Sequence, residues 1–238
     1  VAREADMSTL VASLGHDPSR EEDIVRSLLR RAPSGLMMAP VGPDQGYLDD
    51  AAAGVPVVFV DREPVGYRSD AIRHDDAAGA GLAVTHLIEH GHRTIAFTGD
   101  DCGLPTTRER QRVYREVLRE HGLPSRPELE RLGVIDDETA AAAIRGLIGL
   151  ADPPTAVFSS NAGCTMLLVP LLLGTDLSLA SFGDFPMASS LTPPVCVVDQ
   201  DPAAMGSLAA ERLLARSRGP LGGDSPTRTV LPVRLIHR

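Results

Sequence analysis

The chain has 238 residues, of which 43% are hydrophobic and 23% are charged, and its net charge at pH 7 is −9. Its length allows one or two compact domains with a substantial core, and no apolar run approaches the ~20 residues that a membrane-spanning helix needs. The excess of acids repels phosphate backbones, so these residues alone are not expected to bind DNA.

The first residues and the cysteines both indicate a cytoplasmic protein. Acids stand in Val1–Asp6, where the apolar part of a secretion signal would be. Cys102, Cys164 and Cys196 are isolated and show no CxxC spacing. This pattern favours a reducing compartment and buried, inert thiols.

Short apolar runs alternate with amphipathic stretches along the chain, a pattern typical of an α/β fold with parallel sheets. The predicted strands are Ser8–Leu14, Gly35–Ala39, Val55–Val60, Thr94–Thr98, Thr155–Ser159, Ser178–Phe182 and Val195–Val198. The predicted helices are Ser19–Arg31, Ala77–His90, Thr106–His121, Glu138–Leu150, Ala162–Leu173 and Pro202–Ser217. The segment Gly219–Pro226, rich in Gly and Pro, is predicted to be an exposed loop.

Two of these elements carry clear boundary signals. Asp17-Pro18-Ser19 is a good helix start, and the acids at positions 21–23 are stabilised in the positive first turn of that helix. Further along, Gly91 ends a run of apolar residues at helical spacing, and the buried strand Thr94–Thr98 follows at once.

Several segments together point to a known family. They are Val57–Arg62, the helix-to-strand junction His86–Phe97, Thr106–Arg110, and the C-terminal segments Leu191–Gly206 and Val230–Ile236. In this order and at this spacing they resemble the ligand-sensing core of the lactose/galactose-repressor (LacI/GalR) family of transcription regulators. The resemblance covers nearly the whole chain.

The resemblance implies an α/β fold of two doubly wound parallel-sheet subdomains, joined by three crossovers as in type I periplasmic binding proteins, with the ligand in the cleft between them. The first subdomain would take residues 1–73 and 200–227, and the second 74–199 and 228–238. The carboxyl ends of parallel strands are also where α/β sheets generally bind ligands. The family's first strand and its helix-turn-helix headpiece are expected to precede Val1 and to be absent here, with Val1–Asp6 as the last turn of a helix.

The resemblance places an effector-binding arginine at Arg110. A guanidinium can hold two ligand oxygens in a fixed geometry. The alternative is a solvated arginine on the helix face, since Arg108, Arg112 and Arg115 lie on the same predicted helix. Asn161 follows a predicted strand and precedes a helix, so its amide can bind an effector hydroxyl, cap the helix, or do both.

Three more residues are expected to line the cleft, namely Asp184, Gln200 and Asp61. Asp184 stands where the family has two adjacent acids, and Gly183 replaces the first, so Asp184 either takes over the ligand contact or braces its loop. Ala162 likewise stands where the family usually has an acid. Because an unpaired buried polar group costs roughly 1–3 kcal/mol, these departures predict an effector with a different hydroxyl pattern.

No metal, cofactor or catalytic site is predicted. His86 and His90 are four residues apart on one predicted helix and His92 follows, but a zinc ion needs further ligands, so structural roles are the preferred interpretation. The sequence has no GxSxG motif, no P-loop and no strand-first GxGxxG motif. The glycines at 79 and 81 are interpreted as permitting close packing of a helix start.

The leading hypothesis is a non-catalytic, effector-sensing and dimerising domain of a bacterial transcription regulator. A sugar-like metabolite would favour one orientation of the subdomains and thereby change operator binding by a headpiece outside this chain. Two-fold operators imply a homodimer. Two alternatives stay open: a periplasmic sugar-binding protein of a transporter, and an α/β enzyme acting on a phosphorylated sugar.

Overall fold

The computed structural model describes residues 1, 4–15, 17–100, 103–192, 195–218 and 225–237. The chain forms two compact units, Val1–His74 with Asp201–Leu231 and Asp75–Gln200 with Pro232–Arg238. It therefore passes from one unit to the other three times, and each unit contains a sheet that is wholly or mainly parallel. The predicted fold class, two parallel-sheet subdomains joined by three crossovers, is confirmed.

The regular elements alternate between helix and strand for most of the chain. The helices are α1 Glu21–Leu29, α2 Leu48–Ala51, α3 Asp76–Glu89, α4 Pro105–Glu120, α5 Asp137–Ile148, α6 Ala162–Leu172 and α7 Pro202–Arg218. The strands are β1 Leu36–Met38, β2 Val57–Val60, β3 Asp70–His74, β4 Ile95–Thr98, β5 Glu130–Arg131, β6 Ala156–Ser159, β7 Ser178–Phe182, β8 Cys196–Asp199, β9 Arg228–Leu231 and β10 Arg234–Ile236. Across the described ranges, no helix has both the length and the apolar content needed to cross a membrane.

The first unit is built on a four-stranded parallel sheet in the order β1-β2-β3-β9. Both faces of this sheet are covered. Val57 and Phe59 of β2 pack with residues of α1 and α2, whereas Val58, between them, packs with Met205 and Ala209 of α7. Burial on both faces explains why β2 is continuously apolar rather than alternating.

Helix α1 begins close to its predicted start, and one acid of its first turn, Glu21, also binds a neighbouring loop. The Asp17 carboxylate accepts hydrogen bonds from the Ser19 backbone N–H at 3.0 Å and from the Ser19 hydroxyl at 2.6 Å. Glu21 is buried, and its carboxylate accepts hydrogen bonds from the backbone N–H groups of Val41 and Gly42. Glu21 therefore fixes the loop after β1 as well as complementing the dipole of α1.

The predicted strand Ser8–Leu14 is wrong. Residues 7–14 form neither strand nor helix, and the side chains of Leu10 and Val11 are 59% and 84% exposed. A strand is defined by the backbone hydrogen bonds of a neighbour. In the described part of the chain the sheet of this unit ends at β1, which pairs with β2 alone.

The expected assignment of residues 228–231 to the second subdomain is also wrong. Strand β9 pairs in parallel with β3, with Ile72 opposite Thr229, and so completes the sheet of the first unit. The other two crossings lie at 74/75 and 200/201, one residue beyond the expected 73/74 and 199/200. Register with β3, rather than proximity to the C-terminal strand, decides where this segment belongs.

The second unit is built on a six-stranded sheet in the order β10-β8-β7-β6-β4-β5, parallel except for β10. On one face, Phe97 and Phe158 pack with Tyr114 of α4 and with α3. On the other face, Val157 packs with residues of α5 and α6. The Tyr114 hydroxyl donates to the Ile95 carbonyl at 2.7 Å, which satisfies the polar end of a buried ring.

Three further predictions concern the glycine after α3, the cysteines and the predicted loop near residue 220. Gly91 follows His90, the C-cap of α3, and has a φ of +91°, which confirms it as the glycine that ends the helix. Cys164 and Cys196 are buried, and burial raises the pKa of the Cys164 thiol. Cys102, and residues 219–224 of the predicted loop, lie outside the described residues.

Candidate functional site

Polar side chains gather at one edge of the sheet in the second unit. Ser160 and Asn161 follow β6, Gly183 and Asp184 follow β7, and Gln200 follows β8. These three strands run parallel, so the segments after them lie at the same edge. We call this set, together with Arg110, the carboxyl-edge site.

Arg110, on α4, is the buried centre of this site, and its side chain is 5% exposed. Its Nε and Nη2 lie 2.8 and 2.6 Å from Oδ1 of Asp76, and its Nη1 donates to the Ser160 carbonyl at 2.6 Å. The guanidinium carbon lies 3.7 Å from the centre of the Phe182 ring. The alternative of a solvated arginine on the helix face is therefore wrong.

The surroundings of Arg110 fix its guanidinium in one orientation. A buried cation is tolerated when it is paired and hydrogen-bonded, and Asp76 and Ser160 supply those contacts. The face of an aromatic ring adds a cation–π contact. The contacts above use three of the five N–H groups of the guanidinium.

The close approach of Phe182 depends on a glycine in α3. A Cβ atom built at Gly79 would lie 2.5 Å from Cε2 of Phe182 and 2.9 Å from Cγ1 of Val198. The interpretation that a glycine here permits close packing of the helix start is confirmed at Gly79. At Gly81 a Cβ would lie 3.9 Å from Cγ1 of Val113 and would meet no other described residue outside α3 within 4 Å.

Asn161 caps α6. Its Oδ1 accepts from the Cys164 backbone N–H at 2.8 Å, and its Nδ2 donates to the Ser160 hydroxyl at 3.4 Å. The capping role foreseen for this residue is confirmed. Its amide remains at the same edge as Arg110, because Arg110 itself bonds the carbonyl of the preceding residue.

Asp184 and Gln200 flank the turn at Gly183. Asp184 is exposed, and its Oδ1 accepts from the Phe185 backbone N–H at 2.8 Å. Gly183 has a φ of +94°, and a Cβ built there would lie 3.0 Å from Oε1 of Gln200. Both the backbone conformation and the close amide therefore favour glycine where the resembling family carries an acid.

Asp61 lies in the first unit, at the carboxyl end of β2. Its φ is +66°, its backbone N–H donates to the Ile72 carbonyl at 2.9 Å, and its carboxylate lies 3.2 Å from Nη2 of Arg62. A left-handed conformation is uncommon for a residue other than glycine, and aspartate is among those that tolerate it best. The side chain is 30% exposed.

Sequence reasoning missed two residues that hold Arg110 in place. Asp76 begins α3, and its role as the partner of Arg110, 34 positions later, has no local signal. Phe182 was identified as part of a strand, but its contact with the guanidinium depends on the packing of α3 and α4 over β7. A buried arginine needs a carboxylate, and that requirement is the only hint the sequence offers.

Comparison with known proteins assigns the chain to a family. Residues 84–238 match the model of the periplasmic binding protein-like domain. The chain belongs to the periplasmic binding protein-like family, in its LacI-type branch. The resemblance stated from the sequence is thereby confirmed.

Relatives of this LacI-type chain include repressors and their solved structures. The ribose operon repressor of Haemophilus influenzae is 27% identical over 218 residues, which cover 89% of this chain and 65% of the repressor. A crystal structure from Burkholderia thailandensis, assigned as a ribose operon repressor, is 30% identical, with a TM-score of 0.84 over 98% of this chain and 88% of that one. A transcriptional regulator CelR–cellobiose complex is 26% identical, with a TM-score of 0.83 over 99% and 74% of the two chains.

The LacI-type chain covers only part of the curated relatives that head the comparison. It spans less than two thirds of the length of the three that head the comparison. All three are named as transcription regulators or repressors rather than as enzymes.

Proposed function

We propose that this chain is the effector-sensing and dimerising domain of a bacterial transcription regulator and that it performs no catalysis. The observation that carries the proposal is the carboxyl-edge site, where a buried guanidinium is bonded to the segment after β6, and amide and carboxylate side chains follow the ends of three parallel strands. Such a set of donors and acceptors recognises a small neutral molecule rich in hydroxyl groups.

The proposed effector is a sugar or a sugar-like polyol. A hydroxyl both donates and accepts, so it can bond the guanidinium of Arg110 and the carboxylate of Asp184 at once. The names of two relatives support this class, because one is a ribose operon repressor and the other is a complex with cellobiose. Gly183 in place of an acid predicts a preference different from that of relatives that carry two acids there.

DNA binding is proposed to reside in a helix-turn-helix headpiece outside this chain. The net charge of −9 makes these residues poor partners for phosphate, and the chain spans less than two thirds of the regulators that head the comparison. An effector that binds one conformation of the domain more tightly shifts the population toward it, by a coupling of roughly 1–3 kcal/mol in typical cases. We expect the regulator to act in the cytoplasm as a homodimer, because the two-fold symmetry of a dimer matches that of an operator.

A transporter's periplasmic sugar-binding protein shares the fold, but the comparisons favour regulation. The curated relatives are named as regulators, and the resemblance extends over 89% of the chain for two of them. The α/β-enzyme alternative has no support in those names.

A thermal-shift screen tests the proposed effector class. Pentoses including ribose, hexoses, and disaccharides including cellobiose are each added in large excess, with purine bases as a non-sugar set. A ligand present at about 100 times its Kd stabilises the folded state by ~2.7 kcal/mol, which raises the midpoint of unfolding by several degrees. The proposal predicts such a rise for at least one saccharide. A rise with purines alone, or with none of these compounds, contradicts it.

A further inference from the structure

Three potential metal ligands from distant parts of the sequence meet in the second unit. His86 lies on α3, Cys196 is the first residue of β8, and His237 directly follows β10. One donor atom from each of the three side chains lies within 4.8 Å of the other two. We call them the His–Cys cluster.

The strand register explains why they meet. Strand β10 runs antiparallel to β8, with Ile236 opposite Val197. The next pair in that register is His237 opposite Cys196. Helix α3 packs across both strands, since residues of α3, β8 and β10 share one core, and this brings the His86 ring to 4.7 Å from the His237 ring.

The imidazole of His86 has one nitrogen atom whose hydrogen-bonding capacity is not satisfied by the described residues. Its Nδ1 is buried and has no hydrogen-bond partner among the described residues. A buried polar atom left unpaired costs about 1–3 kcal/mol, so a ligand on this ring would relieve a penalty that the fold otherwise carries.

We propose that His86, Cys196 and His237 bind a zinc ion. One thiolate and two imidazoles are a donor set that zinc prefers and that magnesium and calcium do not. Zinc–ligand bonds of ~2.0–2.3 Å at tetrahedral angles place the donors about 3.5 Å apart. The donors must therefore move together by about 1 Å, and His237, which is exposed and follows the last strand, has the freedom to do so.

Binding exchanges one proton for the metal. The Cys196 thiol, which lies 3.4 Å from the Ile236 carbonyl, releases its proton to solvent as the sulfur–zinc bond forms. Each imidazole would donate the lone pair of one ring nitrogen to the zinc ion. The three side chains border a cavity of about 280 Å³ that His90 and His92 also line, so the fourth coordination position opens toward that cavity and is filled by water.

The cluster is separate from the carboxyl-edge site. Cys196 begins β8, whereas Gln200 follows its end, so the two sites lie at opposite edges of one sheet. The proposed zinc ion would link α3 to β8 and β10 without touching Arg110 or Asp184. The zinc proposal therefore does not depend on the proposed effector.

Cobalt binding to the chain, freed of metal with a chelator, tests the proposal. Co²⁺ replaces zinc in such sites and reports thiolate ligation by a charge-transfer absorption in the near ultraviolet. We expect one equivalent of Co²⁺ to give this absorption together with the visible bands of a tetrahedral complex, and Zn²⁺ to displace it. Absence of binding at micromolar Co²⁺, or visible bands without the thiolate absorption, overturns the proposal.

Matched variants locate the metal. Cys196→Ser should abolish the charge-transfer absorption, and His237→Gln should weaken Co²⁺ binding about tenfold or more. The controls are Cys164→Ser and His121→Gln, which change the same residue types in the same unit outside the cluster and should leave the titration unchanged. Because His237 is exposed, His237→Gln remains informative if Cys196→Ser fails to fold. A titration that His237→Gln leaves unchanged overturns the assignment.

Discussion

At the scale of single residues, the guanidinium of Arg110 is the most constrained polar group in the carboxyl-edge site. It is bonded to Asp76 and Ser160 and lies against Phe182. The family resemblance predicts a ligand-binding arginine at this position, but it does not predict that the arginine is buried and paired. The partner carboxylate is 34 residues away, and contacts of that kind follow from packing that local pattern does not reveal.

Arg110→Ala tests the buried pair. Removing one partner leaves a buried charge without compensation, so we expect this variant and Asp76→Ala each to lower the free energy of unfolding by about 3–5 kcal/mol. The double variant should cost less than the sum of the two, because the interaction can be lost only once. Denaturant unfolding measures all three values.

Arg119→Ala is the control for that cycle. Arg119 lies on the same helix, but its side chain is 74% exposed, and its nearest carboxylate is 3.7 Å away. Its replacement should change stability by no more than about 0.5 kcal/mol. An Arg110→Ala variant as stable as Arg119→Ala would show that the pair does not hold the site.

At the scale of elements, Asp70 at the start of β3 joins three parts of the first unit. Its carboxylate accepts from Nε of Arg216 on α7 at 2.8 Å and from the backbone N–H of Thr227, just before β9, also at 2.8 Å. Burial alone would raise the pKa of Asp70, but the hydrogen bonds from Arg216 and Thr227 outweigh it and hold the pKa below its ordinary value of 3.8.

The lowered pKa of Asp70 predicts a loss of stability in acid. A carboxyl group whose pKa is lower in the folded state than in the unfolded state stabilises the fold above the unfolded value of 3.8, and this contribution is lost as the pH falls through the folded value. Asp70→Asn should be less stable than the wild type at pH 7, and the difference should shrink as the pH falls below about 4. Urea unfolding across pH 2.5–7 (approximate range) measures this. A difference independent of pH would contradict the assignment.

The packing of α3 on the second sheet is tested by two glycines on one helix. Gly79→Ala forces the Phe182 ring and Val198 to move, since a Cβ would lie within 3 Å of both. We expect a cost of about 1–3 kcal/mol. Gly81→Ala meets nothing closer than 3.9 Å and gains helix propensity, so its stability should be unchanged or higher by up to about 1 kcal/mol.

Thermal or denaturant unfolding of the two α3 variants distinguishes these outcomes. Equal effects of Gly79→Ala and Gly81→Ala would contradict the close approach. Loss of stability in Gly81→Ala but not in Gly79→Ala would also contradict the account, because it would mean that the tight contact is at Gly81.

The elements that sequence patterns predicted are those with continuous apolar runs or strong capping signals. Strands β2, β4, β6, β7 and β8 were found because they are mainly apolar and mainly buried. The missed elements are α2, β3, β5, β9 and β10. These elements are short or carry charged residues, as in Glu130–Arg131. The four strands among them are strands because a neighbouring strand supplies the backbone hydrogen bonds.

At the scale of the whole molecule, the alternation of strands and helices sufficed to predict an α/β fold, and the family resemblance supplied the two units and three crossovers. The failed prediction at Ser8–Leu14 and the shifted boundary at 228–231 have the same cause. Both depend on which strand lies beside the segment, and one-dimensional patterns do not contain that information. The His–Cys cluster was missed for a related reason, since the sequence analysis considered His86 with His90 and His92, whereas Cys196 and His237 reach His86 only through strand register.

The central claim is that the carboxyl edge of the second sheet binds a saccharide, and a pair of aspartates tests it most directly. Asp184 follows the end of β7, whereas Asp176 precedes its start, and both are exposed. Isothermal titration with the best saccharide from the screen should show weaker binding to Asp184→Asn, by about tenfold or more, because a hydrogen bond to a charged group contributes roughly 1.5–3 kcal/mol. Asp176→Asn should bind as the wild type does. Equal affinity of Asp184→Asn and the wild type would contradict the claim.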